Sequence, residues 1–308
     1  MAIVNSLAPV SGTQHSISHG GYRATIASVG ASLRELSFDG RDLVVPFDAD
    51  ELRPKYRGAT LAPWPNRVTD GRYELGGEAF QLPLTEAARG HALHGLAVWL
   101  DFAVTAESTS AVTLEATIEP QDGYPWRVLV SVTNSLSDDG LATTVTATNL
   151  SATAAPFGTG PHPYLVAGPG RVDDWTFELP AATVLQVTPD RLIPTELLDV
   201  DAAGFDWRTP RPVGDTFVDH AFTNLSRDGS GVATVRLLSG DTGVEMAWGP
   251  ECPWVQIHTA DLPNAELSRR GLAIEPMTCP PDAFNSGTDL ILIGSGASTS
   301  ASWVIRAI

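Results

Sequence analysis

Four short polar segments interrupt a chain otherwise rich in threonine, valine and alanine. Pro65-Asn66-Arg67 is followed closely by Asp70-Gly71-Arg72-Tyr73. Gly90-His91-Ala92-Leu93-His94-Gly95 holds two of the seven histidines, and Gly158-Thr159-Gly160-Pro161-His162-Pro163-Tyr164 holds a third. Leu272-Ala273-Ile274-Glu275-Pro276-Met277-Thr278 places one carboxylate between an apolar run and a proline. A carboxylate at the end of an apolar strand is costly to bury unless it is paired or at work. Arg67 is a candidate partner for Glu275, or a ligand for a hydroxyl group. Asp219 and His220 form a fifth polar pair inside an apolar segment. A lone histidine beside glycine is more often a turn or core residue than a catalyst. The combination carries the reading: a histidine near pKa about 6.5 and a carboxylate that rises from about 4.3 in a dry site suit two-way proton transfer.

Other chemistries find little footing. There is no G-x-S-x-G elbow, no P-loop and no G-x-G-x-x-G after a strand. His91 and His94 have H-x-x-H spacing, but no third ligand stands nearby, so no metal is expected. Cys252 and Cys279 form no C-x-x-C pair and read as free thiols of a reducing compartment. The formal net charge of −17 weighs against nucleic acid or an anionic membrane as partner. The N-terminal run MAIVNSLAPVSGTQHS lacks the charged-then-apolar pattern of a secretion signal. No stretch reaches the roughly 20 apolar residues of a membrane helix. A soluble, cytoplasmic protein is expected.

The elements that must position these residues are strands. Val112, Leu114, Ala116 and Ile118 alternate with polar neighbours, as do residues 128–133 and 142–148. Between the last two, Ser137-Asp138-Asp139-Gly140 predicts a hairpin turn. The 28 glycines and 23 prolines punctuate the chain too often for long helices. Short helical turns are expected only at Asp48 to Tyr56 and Leu84 to Arg89. No linker or repeat divides residues 1–308, so a single all-β domain is expected, a large sandwich of many short strands. A broad sheet offers a cleft, and one or two of the eight tryptophans are expected to stack on a ligand there.

Taken in order, these segments resemble the aldose 1-epimerase (galactose mutarotase-like) family. An early strand pair reads GGYRATIASVGASLRELSFDGRDLVVPF. The family's G-x-x-L-x-P-x-x-N-R stretch is matched from Gly58 through Leu61 and Pro63 to Asn66-Arg67. Its L-H-G motif is matched by Leu93-His94-Gly95, its H-x-Y-F motif by His162-Pro163-Tyr164-Leu165, and its late E-P motif by Glu275-Pro276. The chain departs from the pattern at Leu96, Pro161, Leu165 and His258, the last standing where a tyrosine is common. The resemblance implies an antiparallel β-supersandwich without metal or organic cofactor. It implies a catalytic pair, His162 donating to the ring oxygen and Glu275 taking the C1 hydroxyl proton. Arg67, His94, Asp219 and Asn66 would bind substrate, with His258 as a further contact. The implied partner is a free monosaccharide, bound by a monomer or homodimer. Two further readings accompany this one: a mutarotase for an anionic sugar, with Arg53, Lys55, Arg57 and Arg89 as candidate cations, and a non-catalytic sugar-binding protein on the same fold.

Overall fold

The computed structural model describes residues 8–308, so part of the N-terminal run read above lies outside the described residues. The expected hairpin is the spine of a nine-stranded antiparallel sheet. Val128–Ser137 pairs with Gly140–Asn149, Ser137 facing Gly140 across the turn. Val128, Val130 and Val132 point inward and the residues between them outward, as period-two alternation requires. On one side the sheet continues through Ala111–Ile118 to Ala103–Glu107. On the other, the C-terminal strand Ser298–Ala307 inserts between Gly140–Asn149 and Thr242–Trp248, and Ala233–Ser239, Thr176–Glu178 and Arg211–Pro212 follow. Leu141 thus faces Ile305 from the far end of the chain.

A six-stranded antiparallel sheet runs in the order Tyr164–Leu165, Leu272–Met277, Trp254–His258, Asp219–Leu225, Ala181–Val187, Pro194–Asp199. Its alternate residues Phe222, Ile257 and Ile274 join one buried cluster with Val130, Val145 and Ile305 of the larger sheet. That shared core makes the all-β sandwich. A smaller sheet of four strands, Gln14–His19, Tyr22–Ala27, Ser32–Phe38 and Arg41–Asp42, contributes Ile17, Ile26 and Leu36 to the same core.

The helical turns expected at Asp48 to Tyr56 and Leu84 to Arg89 are shorter than read. Only Pro54–Tyr56 makes a 3-10 turn, and Lys55 and Tyr56 there have φ of 49° and 58°. Left-handed residues cannot continue a right-handed helix. Leu84 to Arg89 closes one turn, where the Gly90 amide donates to the Glu86 carbonyl at 2.9 Å. No helix of the described residues is long and apolar enough to cross a membrane.

Two motif glycines hold the loops that carry polar residues. Gly95 has φ +79°, and a Cβ there would strike the Ala62 carbonyl; Gly58, at φ +67°, lies as close to the Leu33 carbonyl. Both neighbours are backbone, so neither can swing aside. Gly95→Ala therefore combines a strained φ with a clash and is expected to cost about 2 kcal/mol or more of stability. Urea unfolding checks this: the midpoint falls at unchanged slope, and an unmoved midpoint would refute the close-approach account.

Candidate active site

The face of the six-stranded sheet turned away from the core carries polar residues in two rows. Cross-strand partners share a face. Tyr164 lies opposite Ala273, Ala273 opposite His258, and His258 opposite Asp219. In the next row Glu275 lies opposite Gln256 and Gln256 opposite Ala221. His220 falls on the other face, where it packs against Phe205 with ring centres 5.0 Å apart. The polar pair Asp219-His220 is therefore split, and only Asp219 belongs to the site.

Loops close the row into a pocket of about 370 Å³. All seven residues singled out for catalysis or binding line it: His162, Glu275, Asn66, Arg67, His94, Asp219 and His258. His162 Nε2 stands 3.4 Å from Glu275 Oε1, with His162 4% and Glu275 1% exposed. The His162 backbone is held by the segment carrying Gly58: its amide donates to the Ala59 carbonyl and its carbonyl accepts from the Gly58 amide. Its ring stacks on Tyr164 with centres 5.1 Å apart and meets His94 edge-on at 5.0 Å. His94 and Asn66, at φ 63° and 55°, clasp each other: the His94 amide donates to the Asn66 carbonyl, and the Asn66 amide donates to His94 Nδ1 at 3.2 Å. That bond occupies Nδ1 as an acceptor and leaves the proton of the neutral ring on Nε2.

Electrostatics follow burial. Burial, joined by the charge of Asp219 and opposed by Arg67, raises the Glu275 carboxyl well above its ordinary range. Burial, reinforced by His258, pushes the His162 imidazole down to about 3. Burial and then His162 lower His94 well below its usual value. Burial thus favours the neutral form of both members of the pair, with a shared proton on the Glu275 side. Asp219 Oδ1 accepts from Gln256 Nε2 at 2.7 Å, and Asp219 Oδ2 lies 3.9 Å from His258 Nδ1. Five buried polar atoms of lining residues have no partner among the described residues: Arg89 Nε, His162 Nδ1, Gln256 Oε1, His258 Nδ1 and Glu275 Oε2.

Several expectations change here. No tryptophan lines the pocket; its aromatic walls are Tyr56, Tyr164 and Phe217. Trp175, Trp207 and Trp248 are instead the largest fully buried side chains. Of the candidate cations, Lys55 and Arg89 line the pocket, whereas Arg53 is buried against the Val29 carbonyl and the Trp99 ring and Arg57 lies outside. His91 is bound away from His94, its Nε2 on the Arg191 carbonyl and its Nδ1 on the Asp70 amide. Among the described residues no group of three His, Cys, Asp or Glu side chains is placed to hold a metal. Cys252 and Cys279 are free and buried. Gln256 and Glu86 were missed. Gln256 could have been found two residues before His258, on the same strand face.

Fold and pocket together define a β-sandwich protein with a polar, carboxylate- and imidazole-lined cleft on one sheet. The chain belongs to the aldose 1-epimerase family, whose model matches residues 13–306. It is 36% identical over 287 residues to the uncharacterized protein YihR of Escherichia coli K12, covering 93% of this chain and 90% of that protein. It is 26% identical over 235 residues to a galactose mutarotase of Mus musculus, covering 72% of this chain and 67% of that one. Among solved structures it superposes on a GalM/aldose epimerase homologue from C. elegans with a TM-score of 0.85 at 20% identity, covering 96% and 98% of the two chains. A putative aldose 1-epimerase from Escherichia coli K12 gives 0.82 at 24% identity, covering 96% and 99%.

Proposed function

We propose that the protein interconverts the α and β anomers of a free hexose, with His162 and Glu275 exchanging protons with the sugar. The observation that carries this reading is their 3.4 Å approach in a pocket whose orphaned buried atoms need both donors and acceptors. A polyol supplies both from each hydroxyl.

Ring opening breaks the C1–O5 bond, protonates O5 and deprotonates the C1 hydroxyl as it becomes a carbonyl. One proton enters the sugar and one leaves, so a pair holding a single transferable proton suffices. Sugar hydroxyls donating to Glu275 favour its carboxylate, assisted by Arg67, and the proton then sits on His162. His162 gives it to O5 while Glu275 takes the C1 proton. Rotation about C1–C2 turns the aldehyde's other face to O5, and reclosure runs the same transfers backwards. Arg67, His94, Asn66, Asp219 and His258 hold hydroxyls and fix the ring against the pair. No covalent intermediate is needed.

The test is polarimetry on freshly dissolved α-glucose and α-galactose. Acceleration of mutarotation is expected, held within about threefold between neutral pH and about pH 5, because charging buried His162 is resisted that far down. Sugar binding without acceleration would instead favour a non-catalytic binding protein. A preference for anionic sugars is the second reading, favoured by Lys55, exposed at the pocket wall with no carboxylate within 4.0 Å among the described residues. Comparing glucose with glucose 6-phosphate separates the two.

A further inference from the structure

Glu86 lies outside every motif discussed above, in the turn before strand His91–Leu93. Its Oε2 accepts from Arg67 Nε at 2.7 Å and its Oε1 from Arg67 Nη2 at 3.1 Å and Arg89 Nη1 at 2.8 Å. Both partners of the Arg67 pair are largely buried, their side chains 10% and 13% exposed. A two-pronged contact of this kind fixes the guanidinium plane as well as its position.

The guanidinium has five N–H groups. Two go to Glu86, and one on Nη1 goes to Asn66 Oδ1 at 3.3 Å. One N–H then remains on each of Nη1 and Nη2, and Arg67 lines the pocket beside Glu275. We propose that Glu86 is a positioning residue for sugar recognition, aiming the two remaining Arg67 N–H groups at hydroxyl oxygens of the substrate. The proposal rests on the sugar-anomerising reading of the pocket.

The turn itself does not depend on this carboxylate. The Glu86 amide donates to the His91 carbonyl, and the Gly90 amide to the Glu86 carbonyl. Thr85 Oγ1 accepts from the Leu93 amide at 2.8 Å, and Arg191 Nε donates to the Arg89 carbonyl at 2.9 Å. Removing the charge therefore frees the Arg67 fork while its loop stays anchored. A free arginine samples many rotamers and no longer enforces which oxygen it meets.

The experiment compares wild type with Glu86→Gln on glucose and on its 2-, 3-, 4- and 6-deoxy analogues, with a thermal unfolding midpoint for each protein. Wild type is expected to discriminate against the analogue lacking the contacted hydroxyl by about tenfold or more in kcat/KM, since a charged donor loses its acceptor. Glu86→Gln is expected to lose that discrimination to within about threefold. KM for glucose rises by about tenfold while kcat stays within about threefold, and the midpoint falls because Arg67 loses its buried counter-charge. Retained discrimination overturns the proposal. So does an equal fall of kcat on every sugar with KM unchanged, which marks a merely structural carboxylate. If Glu86→Gln does not fold, Glu86→Asp, shorter but still charged, is expected to lose part of the discrimination, and full wild-type discrimination there overturns the proposal. If wild type anomerises none of these sugars, the functional reading fails on its own. The same comparison read by calorimetric sugar binding then decides Glu86 separately, with equal wild-type affinities for glucose and all four analogues overturning it.

Discussion

Glu275→Gln is expected to slow anomer interconversion by about 10²–10⁴-fold, the range of a positioned acid or base. The amide has nearly the volume of the carboxyl, so Ile257 and Ile274 on the core side keep their packing. It cannot take the C1 proton, and it cannot return one during reclosure. Binding should survive, because the amide still offers an oxygen and an N–H to sugar hydroxyls. Stability should hold as well: burial already favours the neutral carboxyl, which the amide replaces without stripping a neighbour of a counter-charge. Polarimetry with a parallel binding titration reads both effects. Full activity in Glu275→Gln would remove this residue from the mechanism.

His162→Ala is expected to lose a similar factor, about 10²–10⁴-fold. His94 is the nearest substitute, its ring 5.0 Å from that of His162. Its Nδ1 is committed to the Asn66 amide, and burial keeps it from accepting a second proton. A near-wild-type rate would transfer the acid role to His94 all the same. The double variant separates a unit from two independent helpers. Because one proton serves both residues, Glu275→Gln with His162→Ala should be little slower than either alone. Multiplied losses would show that the two act independently.

The strands were legible because their chemistry is local. Val128, Val130 and Val132 announce a half-buried face by alternation alone, and the turn at Ser137 to Gly140 joins neighbours in sequence. The insertion of Ser298–Ala307 between two strands distant in sequence was not legible, since nothing local distinguishes one alternating strand's partner from another's. Glu275 stood out because a carboxylate after Leu272-Ala273-Ile274 conflicts with its surroundings. Glu86 did not, because a glutamate in a polar turn looks like any solvated one until Arg67 is brought to it. Gln256 hid for the opposite reason: an uncharged amide in an apolar strand raises no electrostatic alarm. The tryptophan expectation failed because aromatic residues that suit sugar faces suit a sandwich core equally well, and Trp175, Trp207 and Trp248 went there.

The two rows across the six-stranded sheet act like a pegboard. Within each row, Asp219 and His258, and Gln256 and Glu275, occupy holes about 4.5–5.5 Å apart, set by strand pairing and not by the side chains themselves. Exchanging one peg, as between tyrosine and histidine at position 258, leaves the neighbouring holes where they were. The chain can therefore alter which sugar it fits one substitution at a time. Adding or deleting a single residue within Trp254–His258 is another matter, because it would turn part of the row through the sheet and place Ile257 in the pocket and Gln256 in the core. Insertions and deletions among descendants of this sequence should accumulate in its turns and leave these strands uncounted.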